Sequence, residues 1–170
     1  MRNHTDIKEL SAIAGSSPFY IVDRNKFEAN FEGLTSAFSS RYTPFLLAYS
    51  YKTNYIPYLC DIVRQKGGWA EVVSRMEYDL ALKIGQDPKT IVFNGPVKTA
   101  DDIERALNNG SLINVDSQSE LDLMIDYAKK HPDEEISIGL RVNIGLSDAA
   151  GQSHIQTVSK SAVLASIQNI

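Results

Sequence analysis

Short apolar segments alternate with amphipathic segments along most of the chain, and this alternation restricts the possible folds more than any other feature. Five apolar segments, rich in β-branched and aromatic residues, begin at intervals of roughly 20 to 25 residues. The segments between them carry apolar residues at helical spacing. Repeated strand and helix units of this kind predict an α/β protein with a parallel sheet. The predicted strands cover residues 45–51, 69–73, 90–94, 112–115 and 136–142.

A (β/α)8 barrel and an open doubly wound sheet both produce this repetition. No Gly-x-Gly-x-x-Gly follows any predicted strand, which disfavours a dinucleotide-binding sheet and favours the barrel. A complete barrel needs roughly 250 residues, whereas this chain has 170. We therefore expect a partial barrel with five of the eight strands.

The first predicted barrel strand ends in a lysine. Residues 45–49 are apolar enough to predict a strand buried on both faces, and residues 55–57 then open a helix, so Lys52 lies at the carboxyl end of an interior strand. A cation there is costly unless it is paired, exposed in a cleft, or kept neutral as a nucleophile. Deprotonated lysine condenses with aldehydes, so Lys52 is a candidate catalytic residue.

Helix caps and turns account for several polar residues without any ligand. The pairs Ser74 with Glu77 and Ser117 with Glu120 have the spacing of capping boxes. We interpret Lys98 as a residue of a turn or of a first helical turn. Before the barrel, the sequence predicts a helix ending near residue 14, a strand at residues 18–22 and a helix capped by Asp23.

Composition excludes several classes of function. A net charge of -4 and a pI near 5.4 give no basic surface for nucleic acid. No segment offers the roughly 20 apolar residues of a membrane span, and the polar start lacks a signal-peptide core, so we expect a cytoplasmic protein. The single cysteine, Cys60, excludes an internal disulfide and a multi-cysteine metal site, and is most simply core packing.

Five segments resemble motifs of the pyridoxal-phosphate (PLP) amino-acid decarboxylases of the alanine-racemase-like barrel type. Residues 49–54 resemble the family's aromatic-small-x-Lys-x-Asn motif. The others resemble Asp-Val-Val-Ser-x-Gly-Glu, with Glu71 replacing Asp and Met76 replacing Gly, then Gly-Pro-x-Lys, Val-Asp-Ser-x-x-Glu-Leu and Leu-Arg-Val-Asn. These lie in order at residues 71–77, 93–98, 114–121 and 140–143. The set looks most like diaminopimelate decarboxylase.

The resemblance assigns a role to each candidate residue. Lys52 would carry PLP as a Schiff base, and Arg141 would lie beneath the cofactor ring near its pyridine nitrogen. Glu71 would lie near the cofactor and the lysine, or else be a structural carboxylate paired with Lys52 or Arg141. Ser74 and Glu77 would lie near the substrate or behind residues that touch it, although helix capping explains both.

The function implied is decarboxylation of an amino acid, with meso-diaminopimelate converted to lysine as the leading reaction. An ornithine- or arginine-type decarboxylase remains open, as does a non-catalytic remnant or binding module. In this family the complete enzyme would be a homodimer, and its substrate would be a free, small-molecule amino acid.

The resemblance ends before the chain does. By family likeness, residues 1–44 are an N-terminal helix, a strand of a second β domain and a connecting helix, and residues 45–146 are the incomplete PLP-binding barrel. Residues 147–170 lack the Lys-Phe-Gly and His-x-Gly-Ser motifs expected next, and we expect them to be a disordered or non-native tail. From about residue 157 no correspondence remains, as a frameshift or an early stop would give. We also expect an unpaired edge at the last strand, and weak or no activity for the chain alone.

Overall fold

The computed structural model describes residues 7–16, 18–142 and 161–167. The chain separates into two compact units, residues 1–45 and 46–170. The first unit contains helices α1 (Ile7–Ala14) and α2 (Arg24–Ser39). The side chain of Asp23 accepts a hydrogen bond from the backbone N–H of Lys26, which confirms the predicted cap of α2.

The predicted strand at residues 18–22 is wrong. These residues have no regular secondary structure, Tyr20 is fully exposed, and Ile21 and Val22 are also exposed. A strand needs partners for its backbone N–H and C=O groups, and no described residue pairs with this segment. Apolar composition alone therefore does not make it a strand.

The second unit alternates strands and helices as the sequence predicts. Its elements are β1 (Ala48–Ser50), α3 (Pro57–Gln65), β2 (Trp69–Val72), α4 (Arg75–Ile84), β3 (Ile91–Phe93), α5 (Ala100–Asn108), β4 (Leu112–Val115), α6 (Gln118–Lys130), β5 (Ile136–Val142) and β6 (Ser161–Ile167). The first five strands are parallel and lie in sequence order. A doubly wound sheet would reverse its strand order at a switch point, whereas a barrel keeps it. The predicted partial barrel is thus confirmed.

Helices α3, α4, α5 and α6 all contribute to one hydrophobic core on one face of the sheet. Alternate strand residues face it, as Ala70 and Val72 do in β2 and Ile91 and Phe93 do in β3. The intervening residues therefore face the opposite side, which we call the inner face. Other buried core residues are Cys60, Tyr78, Ala81, Ile103, Ala106, Leu107, Ile113, Val115, Met124, Tyr127, Ile136 and Ile138.

The two edges of the sheet differ from expectation. We predicted a first strand buried on both faces, but β1 is three residues long, pairs only with β2 among the described residues, and leaves Ala48 exposed. We expected an unpaired edge at β5, but β6 pairs with it in antiparallel register, from Ile136 opposite Ile167 to Val142 opposite Ser161. Strand β6 was not expected from the sequence.

The predicted division into residues 1–44, 45–146 and 147–170 stays a prediction. Along the chain, the first unit ends at residue 45, one residue after the first predicted boundary. Apart from residues 161–167, the predicted tail lies outside the described residues, and so does Asn143 of the last motif. In the described part of the chain, no helix combines the length and the apolar character needed to cross a bilayer.

Candidate active site at the carboxyl ends of the strands

Lys52 lies in the turn that directly follows β1, two residues beyond Ser50. Its side chain is exposed, and its amine nitrogen forms no ion pair with a described residue. The strand before it is anchored by the backbone N–H of Tyr51, which donates to the carbonyl of Glu71 at 2.9 Å. Of the alternatives for such a lysine, the structure therefore shows an accessible amine rather than a buried pair.

Glu71 on β2 begins a row of hydrogen bonds along the inner face. Asn94, immediately after β3, donates from Nδ2 to Glu71 Oε1 at 2.7 Å. Asn114 on β4 in turn donates from Nδ2 to Asn94 Oδ1. Three adjacent strands are thus joined by side chains at their carboxyl ends. Neither Lys52 nor Arg141, the two partners considered from the sequence, bonds to Glu71.

Arg141 lies near the end of β5 and pairs with Asp116, which directly follows β4. Arg141 Nη1 donates to Asp116 Oδ2 at 2.7 Å, and both side chains are largely buried. The register explains the contact, because Val115 lies opposite Leu140 and the next residue on each strand is one of this pair. The carboxylate holds the charged guanidinium in place at the carboxyl ends of β4 and β5.

Ser74 and Glu77 hold the start of α4. Glu77 donates its backbone N–H to Ser74 Oγ at 3.3 Å, as predicted. The Glu77 carboxylate, however, accepts the backbone N–H of Val73 at 2.7 Å, one residue before the position that a capping box uses. The buried Glu77 carboxylate thus joins α4 to the residue that follows β2, the strand that carries Glu71. Both side chains thus have a structural role beside the candidate site.

Lys98 forms a buried ion pair that the sequence analysis missed. Its side chain is 0% exposed, and Nζ lies 2.9 Å from Oε2 of Glu120, whose side chain is 5% exposed. Lys98 Nζ also donates to the carbonyl of Gly95 at 2.7 Å, and Glu120 accepts the backbone N–H of Asp116 at 2.9 Å. The pair therefore joins the loop after β3 to the residue that holds Arg141.

Gly95 brings the loops that follow β2 and β3 into direct contact. Its φ of +107° is accessible mainly to glycine, and a Cβ at this position would lie 2.5 Å from the carbonyl oxygen of Val73. The loop after β3 can approach the end of β2 this closely only because residue 95 has no side chain. This contact keeps Asn94 close to Glu71.

Tyr51, which precedes Lys52, and Cys60 on α3 are both buried. Burial raises the pKa of the Cys60 thiol to about 11, and burial together with the neighbouring Cys60 raises the pKa of Tyr51. Cys60 is therefore a neutral core residue, as expected. Across the described residues, no three His, Cys, Asp or Glu side chains come together as a metal site requires.

The side chains at the carboxyl ends of the strands fit the ring end of a pyridoxal group. An accessible lysine amine can condense with an aldehyde, and the carboxylate of Glu71 and the guanidinium of Arg141 supply fixed charges on the same face. In addition, Asn114 Oδ1 is buried without a hydrogen-bond partner among the described residues. The set is chemically suited to a polar aromatic aldehyde.

Diaminopimelate decarboxylases are among the known proteins that this chain resembles. Diaminopimelate decarboxylase of Methanothermobacter thermautotrophicus is 31% identical over 149 residues, which cover 88% of this chain and 33% of that protein. The crystal structure of the diaminopimelate decarboxylase of Methanocaldococcus jannaschii matches with a TM-score of 0.74 and 29% identity, covering 84% of this chain and 33% of that one. The structure of the Helicobacter pylori enzyme complexed with L-lysine matches with a TM-score of 0.73 and 30% identity, covering 84% and 35%.

The chain spans about a third of the length of these relatives. The family model of the pyridoxal-dependent decarboxylases, pyridoxal binding domain, matches residues 25–162. That match includes the lysine turn, the row of polar residues at the strand ends and the whole of the parallel sheet. The chain therefore belongs to the pyridoxal-binding domain family of the pyridoxal-dependent decarboxylases.

Proposed function

We propose that this chain supplies the cofactor-binding lysine, Lys52, of a PLP-dependent amino-acid decarboxylase, and that it corresponds to the N-terminal part of such an enzyme. One observation carries the proposal. Lys52 is an accessible amine that pairs with no described residue. It lies at the carboxyl end of a parallel barrel strand, where the catalytic residues of barrel enzymes are found. An amine held in an ion pair would be a poorer nucleophile.

Pyridoxal phosphate, when bound, supplies an electron-withdrawing ring that accepts the electron pair left when a carboxylate departs as CO₂. Lys52 would hold the cofactor covalently and move a proton through its Nζ. Glu71 would place a negative charge beside that nitrogen, and Arg141, held by Asp116, would place a positive charge at the opposite side of the site. Ser74 and Glu77 would support Glu71 by fixing the end of β2.

For the substrate we propose meso-diaminopimelate, with lysine as the product. The curated relatives at 31% and 33% identity are named diaminopimelate decarboxylases. The H. pylori relative was solved with L-lysine, the product of that reaction. Ornithine and arginine are the alternative substrates within the family. We further propose that the complete enzyme is a cytoplasmic homodimer that acts on a free amino acid.

A product assay tests the proposal. The protein carrying this chain is supplied with PLP and with meso-diaminopimelate, ornithine or arginine in turn, and CO₂ and the product amine are measured, with Lys52→Ala as the control. Lysine formed from diaminopimelate only when Lys52 is present supports the assignment. Agmatine or putrescine formed instead changes the substrate. A PLP imine absorbance band that depends on Lys52, without any turnover, indicates a non-catalytic binding module.

A further inference from the structure

We propose that Asn94 and Asn114 are positioning residues, which fix one carboxylate oxygen of Glu71 and leave the other oxygen free for the Lys52 side of the site. The proposal rests on the function proposed above, in which Lys52 holds the cofactor. It adds Asn94, directly after β3, and Asn114, on β4, to a site otherwise defined by Lys52, Glu71 and Arg141.

The chemistry of the groups fixes the direction of the relay. A carboxylate only accepts hydrogen bonds, so Asn94 must turn its NH₂ group toward Glu71 Oε1. Asn94 Oδ1 is then directed to the other side, where the NH₂ group of Asn114 donates to it. Asn114 thereby holds Asn94 in the orientation that Glu71 requires. No described residue bonds to the second oxygen, Glu71 Oε2.

Burial of Asn114 argues against a purely structural role. The residue is 7% exposed, and its own Oδ1 has no partner among the described residues. A buried acceptor without a donor destabilises a protein, and an apolar side chain of similar size at this position would remove that cost. An amide here is explained by the hydrogen bond that it donates to Asn94.

The register places Glu71 between the lysine and the relay. Ser50 lies opposite Glu71, and Lys52 follows two residues later on one side. Val92 lies opposite Glu71 on the other side, and Asn94 follows two residues later. Lys52 and Asn94 thus follow the two strands that flank β2, the strand that carries Glu71.

The test measures how much cofactor Lys52 retains. The protein is equilibrated with PLP, the imine is reduced with borohydride, and mass spectrometry gives the labelled fraction of the Lys52 peptide. Variants are Glu71→Gln, Asn94→Ala, Asn114→Leu and the double variant of Glu71→Gln with Asn94→Ala. Asn109→Ala is the matched control, because it removes a similar bond, from Asn109 Nδ2 to the Tyr78 hydroxyl, at the far end of α5.

Loss of the carboxylate charge should lower the labelled fraction of Lys52 about two- to fivefold, because at equilibrium a nearby carboxylate stabilises the protonated imine by about as much as an exposed ion pair. Asn94→Ala and Asn114→Leu should each lower it about twofold, whereas Asn109→Ala should not change it. Because Asn94 acts through Glu71, the double variant should equal Glu71→Gln alone. Urea unfolding monitors folding, and Asn114→Leu should fold because it removes an unpaired acceptor.

Two results overturn the inference while leaving the proposed function intact. One is preferential labelling of Lys52 that neither asparagine variant changes. The other is an Asn94→Ala effect that multiplies with that of Glu71→Gln, since a residue that acts through Glu71 has nothing to add once the carboxylate is gone. Labelling spread over other lysines without preference for Lys52 overturns both the inference and the proposed function.

Discussion

The buried pair of Lys98 and Glu120 allows the sharpest prediction of stability. Lys98→Met keeps most of the side-chain volume but removes the cation 2.9 Å from Glu120 Oε2 and the donor to the Gly95 carbonyl. Breaking a buried ion pair by removing one partner costs about 3 to 5 kcal/mol, because the remaining charge stays buried. That cost is a large share of the roughly 5 to 15 kcal/mol that stabilises a typical domain.

Urea unfolding, followed by the fluorescence of the single tryptophan, Trp69, measures this cost. The control is Lys129→Met, the same substitution in an exposed pair with Asp126, where the side chains are 70% and 66% exposed. That variant should lose at most about 0.5 kcal/mol. Adding Glu120→Gln to Lys98→Met should restore about 2 kcal/mol, because the glutamine is neutral and can still accept the Asp116 N–H.

Equal effects of Lys98→Met and Lys129→Met would refute the reasoning, since burial would then make no difference to the two pairs. So would a double variant that is less stable than Lys98→Met alone, because the penalty would not come from an isolated buried carboxylate.

Three further predictions concern single positions. Gly95→Ala should destabilise the protein by at least about 2 kcal/mol. The control is Gly85→Ala, also at positive φ, where an added Cβ would have no atom within 4 Å and the cost should be about 1 kcal/mol. Equal urea midpoints for the two variants would contradict the close contact of residue 95 with Val73. Native Cys60 should react with a thiol reagent many times more slowly than in urea, since burial raises its pKa to about 11, and rapid native labelling would show that the core around it opens. Burial acts to raise the pKa of Asp102, but hydrogen bonds from Arg75 and Thr99 outweigh it and lower that pKa below the ordinary 3.8. The unfolded state therefore binds the proton first as the pH falls, so this stabilisation is complete above about pH 5 and is lost progressively below about pH 4; Asp102→Asn should flatten the urea midpoint over that range, and an unchanged slope would contradict it.

The strand rhythm and the lysine turn could be predicted because they depend on local pattern. Alternate apolar residues such as Ile91 and Phe93 face the helices, and this periodicity is visible in the sequence alone. Burial of β1 could not be predicted in the same way, because it depends on strands on both sides. The strand predicted at residues 18–22 was wrong for a similar reason, since apolar residues form a strand only where a partner strand is available.

The contacts of the site depend on register, which the sequence does not contain. Asn94 and Asn114 look like ordinary residues at strand ends, and only the parallel pairing brings them together beside Glu71. Lys98 and Glu120 were each visible within a family motif, Gly-Pro-x-Lys and Val-Asp-Ser-x-x-Glu. Those two motifs were the signal that could have revealed the buried pair.

Attachment of the cofactor to Lys52 is the central claim, and peptide mapping tests it most directly. The chain is incubated with PLP, reduced with borohydride and digested, and the modified lysine is identified by mass spectrometry. We predict that Lys52 is the dominant modified residue and that Lys52→Arg removes this label without new labelling elsewhere. Equal modification of exposed lysines such as Lys83 and Lys129, with no preference for Lys52, would contradict the account.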